Sequence, residues 1–186
     1  MKFQRRVMSN VAPFLFAPTV SRRKEPVLHA RQAVLTALGR DDFEVAGAVV
    51  ARNAYAFRHL DREHAPGLMS DLERALKRRD IKGIHLTLQQ AVAAELVRCL
   101  SAVQENLGHR QDAKHLLMKC SRLFSMLETD LGKKAWDEGS WALQGCQQSI
   151  GTKGLFGVGC VEADPERFIR HKQTLMGILQ SKGLVR

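Results

Sequence analysis

Aromatic side chains are scarce: eight Phe, two Trp and one Tyr in 186 residues, and none between residues 74 and 82, where basic residues are densest. A platform on which successive bases stack is therefore not indicated. No run of 18 apolar residues occurs, so no transmembrane helix and no membrane insertion are expected. No stretch alternates with period two, which leaves nothing to build a half-buried sheet. No repeat recurs at 33 to 35 residues, so a tetratricopeptide-type array is not supported. The four cysteines, Cys99, Cys120, Cys146 and Cys160, are 21, 26 and 14 residues apart, with no C-x-x-C. That spacing fits neither a zinc ribbon nor a dense disulfide framework. Cys99 and Cys120 fall on apolar helical stripes, so the cysteines read as small buried hydrophobes in a reducing compartment.

Catalytic signatures are also missing. There is no P-loop, G-x-G-x-x-G, G-x-S-x-G or H-E-x-x-H, and no local cysteine–histidine arrangement that would activate a thiol. Residues 151–159 are rich in glycine, and Gly151-Thr152-Lys153-Gly154 matches the bare G-x-x-G of KH domains. The sheet pattern around a KH clamp is absent, so the segment reads as a loop.

What is present is a chain of ordinary globular composition, 45% hydrophobic and 26% charged, with an uneven charge. Lys and Arg number 29 against 19 Asp and Glu, a net +10. Residues 1–24 hold six of the basic residues and no acid, which leaves 23 against 19 for the rest. Residues 1–25 are expected to form a basic, loosely ordered arm in which Arg22, Arg23 and Lys24 meet a polyanion. Pro13 and Pro18 interrupt its apolar stretch, which argues against a signal peptide. A mitochondrial transit peptide is the alternative reading, and it would place the protein in the matrix instead of the cytoplasm.

Residues 26–186 read as a helical domain. Pro26 suits a first helical position and Gly39 a C-terminal stop. Asp41 with Glu44, and Ser70 with Glu73, have capping-box spacing. The first pair is expected to open a helix that continues through Phe57 and Leu60, the second a short one through about Arg79. A long apolar stripe comes next: Ile81, Ile84, Leu88, Val92, Leu96, Cys99, Leu100, Val103 and Leu107. A second, at Leu116, Cys120, Leu123, Leu127 and Leu131, comes after Gly108 and predicts one helix over 109–131. So short a connection predicts an antiparallel hairpin. Ala135–Gln148 suits a short helix, with Trp136 and Trp141 capping the core, and Asp164-Pro165-Glu166 a strong helix start. The expected fold is all-α, a single bundle of about six helices around that hairpin.

The densest functional signal is Arg74, Lys77, Arg78, Arg79 and Lys82. The first three share one helical face at i, i+3 and i+4. Spaced charges and guanidinium forks of this kind suit a phosphate backbone. Asp71, Glu73 and Asp80 neutralise part of it. Arg31, Arg58, Arg62, Arg98, Arg110 and Arg122 are scattered along the helices. The spacing of His59, Glu63 and His64, and of Asp112 and His115, approaches that of metal ligands, with Glu95 or Glu105 to complete a set. The order departs from the Glu-x-x-His pattern of di-metal bundles, so surface pairs are expected and no metal or cofactor.

These features point to a non-catalytic helical protein that contacts DNA or RNA through phosphate, for instance as a small subunit beside protein partners in a nucleoprotein complex. The alternative is an adaptor that offers the stripe from Ile81 to Leu107 to a partner protein. A metal-dependent bundle enzyme ranks third.

Overall fold

The computed structural model describes residues 25–151 and 162–185. Most of the glycine-rich segment, Cys160 and the whole basic head, including Arg22, Arg23 and Lys24, lie outside the described residues. Among those described every element is helical: α1 (Pro26–Leu38), α2 (Phe43–Arg52), α3 (Ala54–Glu63), α4 (Leu68–Lys77), α5 (Ile81–Glu105), α6 (Arg110–Ser125), α7 (Glu128–Leu131), α8 (Lys133–Gln148) and α9 (Pro165–Ser181). No helix there is long and apolar enough to cross a membrane.

Nine described helices stand where about six are expected, because seven segments carry helix signals and two of those are split. The helix expected to run through Leu60 breaks at Asn53, whose side-chain amide donates to the Val49 carbonyl at 2.8 Å and turns the chain from α2 into α3. The 109–131 helix stops at Ser125, and α7 forms after a tight turn. Helix starts also shift from their expected positions. Gly39 stays right-handed at φ −64°, and Asp41 takes the left-handed conformation at φ 57° instead. The cap of α2 is then Asp42, which accepts from Val45 N–H at 2.9 Å. Helix α4 opens at Gly67, φ 86°, before the expected Ser70. Its free N–H groups are met from outside: Asp61 at the end of α3 accepts from Gly67 at 3.1 Å and from Met69 at 2.7 Å. Asp80 and Asp164 cap α5 and α9 through Gly83 and Arg167 N–H groups.

Apolar burial falls in two clusters. One gathers α1 to α4 and the first half of α5, around Val34, Phe57, Leu60, Leu72, Ile84 and Leu88. The other gathers the second half of α5 with α6, α8 and α9, around Leu96, Leu100, Leu123, Phe124, Phe168 and Leu175. Helix α5 belongs to both and is buried on most of its circumference: Ala91, Val92, Ala93, Ala94, Glu95, Leu96 and Val97 are all buried in succession. An all-round apolar helix of this kind is a core element. Its contacts with α6 and α7 run in opposite chain senses. Cys99 meets Leu116, Glu95 meets Lys119 and Gln89 meets Asp130. Trp136 stacks on Phe124 with centroids 4.5 Å apart, whereas Trp141 is exposed and sits edge-on to His171. Gly139 lets α8 approach this stack, since a Cβ there would lie 2.5 Å from Phe124 Cζ.

Candidate functional site

The basic residues singled out in the sequence lie where α4 meets α5. Arg74 and Lys77 close the last turn of α4, Arg78 is its C-cap, and Lys82 sits in the first turn of α5. Between them Arg79 takes a left-handed backbone, φ 53°, which reverses the chain. A β-carbon makes that conformation uncommon, so the surrounding caps have to hold it. Arg78 and Arg79 N–H groups donate to Arg74 and Leu76, and Asp80 N–H donates to Ala75. All five basic side chains are exposed. Arg74 pairs with Asp71 at 2.9 Å, and the Arg79 guanidinium lies 5.5 Å from the centre of the Phe43 ring. That stacking fixes Arg79 against the start of α2 while leaving its edge open to solvent.

A shallow groove of about 340 Å³ separates α3 from α4. Arg58 and Arg62 line it on one side, Ser70 and Glu73 on the other, and both arginines are exposed. Asp61 and Met69 complete the lining, and none of the five corner residues is part of it. Sequence spacing could not place Arg58 and Arg62 beside α4, because the α3–α4 connection sets their relation. Arg110, Arg98 and Arg122 belong to other surfaces.

The apolar stripe of α5, the surface an adaptor would offer to a partner protein, is internal. Ile84, Leu88, Val92, Leu96, Leu100 and Val103 are at most 1% exposed, and only Ile81 at its start is open. A partner helix could reach the stripe only by displacing α6 or α4. The remaining exposed large apolar residues, Val45, Tyr55, Leu86, Met118 and Trp141, come from different helices. The metal constellation is not assembled either: among the described residues no three His, Cys, Asp or Glu side chains are placed to hold an ion. His59 and Glu63 form a 3.4 Å surface pair, Asp112 and His115 are both exposed, and Glu95 is engaged elsewhere.

Glu95 organises a second feature, one that spacing did not reveal. A cleft of about 490 Å³ opens between α1, α3, α5 and α6, with Glu95, Arg98, Cys99, Asn106, Lys119 and His59 in its walls. The Glu95 carboxylate is 8% exposed and saturated. Oε1 accepts from Lys119 Nζ at 2.6 Å and Arg98 NH2 at 2.7 Å, and Oε2 accepts from Arg98 Nε at 2.8 Å. Burial pushes its pKa upward, but the hydrogen bonds from Arg98 and Lys119 outweigh that and hold it below the ordinary carboxylate value. At the cleft mouth Glu25 pairs with Arg122 at 3.0 Å. Cys99 stands one helical turn after Glu95, is buried, and its Sγ lies 3.3 Å from the Leu116 carbonyl on α6. The three described cysteines, Cys99, Cys120 and Cys146, are buried in the second apolar cluster, as the sequence predicts for small buried hydrophobes.

No protein-family model, curated protein or solved structure matches this chain.

Proposed function

We propose that this is a non-catalytic helical protein that contacts nucleic acid through the phosphate backbone. Arg74, Lys77, Arg78, Arg79 and Lys82 supply the contacts, and Arg22, Arg23 and Lys24 of the N-terminal arm add to them. In this reading the helical body is a rigid support, with α5 and α6 as its central hairpin. The single observation that carries the reading is the corner itself: five exposed cations within nine residues, held by a left-handed turn and a cation–π contact. Such a surface neutralises phosphates without reading bases. Displacement of condensed counterions then drives binding, with about 0.9 ions released per duplex phosphate contacted.

The test is a salt titration of binding to labelled duplex DNA and single-stranded RNA. Full-length protein, a truncation beginning at Glu25 and the variant Arg74→Glu/Lys77→Glu/Arg78→Glu are compared. The triple variant should weaken binding to all sequences alike and flatten the log–log salt slope by about one for each phosphate no longer neutralised. Unchanged affinity and slope in that variant would remove the corner from the interface. Loss of binding with residues 1–24 alone would assign the contact to the arm.

A further inference from the structure

We propose that the N-terminal arm of this chain docks on its own body, with Phe14 and Phe16 seated in the cleft between α1, α3, α5 and α6. The cleft begins where the arm ends. Glu25 and Pro26, the first described residues, form part of its wall, so the 24 residues before them leave the body at its mouth. The Glu25–Arg122 ion pair, 3.0 Å long, ties that root to α6. The Glu25 carbonyl accepts from His29 N–H at 3.0 Å, which fixes the direction in which the chain enters α1. An occupant tethered at the rim meets the cleft at an effective concentration of about millimolar, so a contact too weak to hold a free peptide still fills it.

The open surface of the cleft suits aromatic rings. Tyr55, the single tyrosine of the chain, stands on its wall and is 86% exposed. Pro26 is exposed as well, and Ala102 and Leu116 are partly open. This apolar surface comes from four helices, and the described residues leave it uncovered. The Arg98 side chain is 37% exposed although Glu95 binds two of its nitrogens, so its guanidinium can lie against the face of a ring. Glu95, the buried charge of the cleft, is already matched by Arg98 and Lys119, so the walls do not call for a charged guest.

The arm supplies the rings. Its apolar stretch is Val11-Ala12-Pro13-Phe14-Leu15-Phe16-Ala17-Pro18-Thr19-Val20. Ala12 and Ala17 each precede a proline, which biases both toward extended backbone and brackets Phe14–Phe16. Side chains alternate along an extended segment, so Phe14 and Phe16 share one side and Leu15 takes the other. Phe14 and Phe16 are therefore the anchors, and burying both rings removes the largest apolar side chains of the arm from water. Reach does not limit the contact. Phe16 to Glu25 is nine Cα–Cα steps, roughly 30 Å when extended, against about 8–10 Å between the axes of packed helices. Arg22, Arg23 and Lys24, next to Glu25 in the chain, stay outside the cleft and available to a polyanion.

The test uses the full-length protein. First, p-benzoylphenylalanine replaces Phe16, and the dilute protein is irradiated. The product should keep the monomer mass. Trypsin should release residues 7–22 linked to residues 53–58, 99–110 or 115–119, the peptides that hold Tyr55, Ala102 and Leu116. Second, tetranitromethane should nitrate Tyr55 severalfold more slowly in the wild type than in Phe14→Ser/Phe16→Ser, with Leu15→Ser close to the wild type. These three positions lie outside both apolar clusters, so far-UV circular dichroism should be the same in all the proteins. A link of dimer mass would give the cleft to a second copy of the chain. No link, links to peptides elsewhere, equal nitration of wild type and double variant, or a Leu15→Ser variant as fast as the double variant would remove Phe14 and Phe16 from the cleft. Each of these results overturns the proposal.

Discussion

Glu95 shows how one side chain sets the character of a cleft. A buried carboxylate is stabilising only while its charge is matched, and here Arg98 and Lys119 match it with three hydrogen bonds. Its folded pKa lies below the ordinary value of 4.5. The stability it contributes is therefore full above that value and is lost as pH falls below it. Glu95→Gln should cost about 2–3 kcal/mol near neutral pH, at the low end for a broken buried pair because both cations keep some solvent. It should also remove the increment of acid sensitivity that Glu95 provides. Urea midpoints measured from pH 7 down to about pH 3 check both, and parallel pH profiles for the two proteins would contradict the assignment. Little of this was legible in the sequence. Glu95 and Arg98, three apart on a helix, are a visible pair. Lys119 and Cys120 arrive from across the α5–α6 turn, and their register depends on where α6 begins. Cys99 was visible as a stripe position, which describes its burial and says nothing of the Leu116 carbonyl its sulfur meets.

At the scale of elements, the caps decide where the chain turns. A helix that carries its own cap, such as α9 with Asp164, has a readable start; α5 also starts at the expected Ile81, under a cap, Asp80, that reads in the sequence only as a neutralising charge. The start of α4 is not readable, because its cap is Asp61, the acceptor for two N–H groups across the intervening turn. Asp61→Ala should therefore cost about 1–2 kcal/mol, as losing a local N-cap does, although Asp61 is in another helix. Asp61→Asn should recover part of it, since an amide offers one acceptor oxygen in place of two. Thermal unfolding ranks the three proteins; an alanine variant as stable as the parent would show that Gly67 and Met69 find water instead. The α2–α3 break has the same origin. The apolar period runs through Asn53 undisturbed, and only the Asn53 amide bond to Val49 marks the stop. All-helical character and the exposed basic face of α4 needed only local pattern. The split helices and the groove between α3 and α4 needed the turns.

At the scale of the molecule, α5 is shared by two apolar clusters, and that sharing predicts cooperativity. Ile84, Leu88, Ala91 and Ala94 belong to one cluster, while Val92, Leu96, Leu100 and Val103 belong to the other. Neither cluster can empty without stripping one side of the same helix. Polar ties reinforce the joint: Gln89 donates to Asp130 at 2.6 Å, and Lys172 of α9 donates to Ser101 and Gln104 of α5 at 3.0 Å. Leu72 is 0% exposed in the first cluster and Leu123 is 0% exposed in the second. Either one changed to alanine should cost about 2–5 kcal/mol, a large share of a domain's stability. Both tryptophans are on α8, beside the second cluster, so their fluorescence reports on that side alone. Far-UV circular dichroism reports on every helix. In Leu72→Ala the tryptophan midpoint in urea should drop together with the dichroism midpoint, although Leu72 touches only the first cluster. A tryptophan midpoint left at the wild-type value would mean that α5 can release one side while holding the other. The cleft lies across this joint, with α3 on one side and α6 on the other. Coincident transitions would thus mean that the cleft walls persist until the whole chain unfolds.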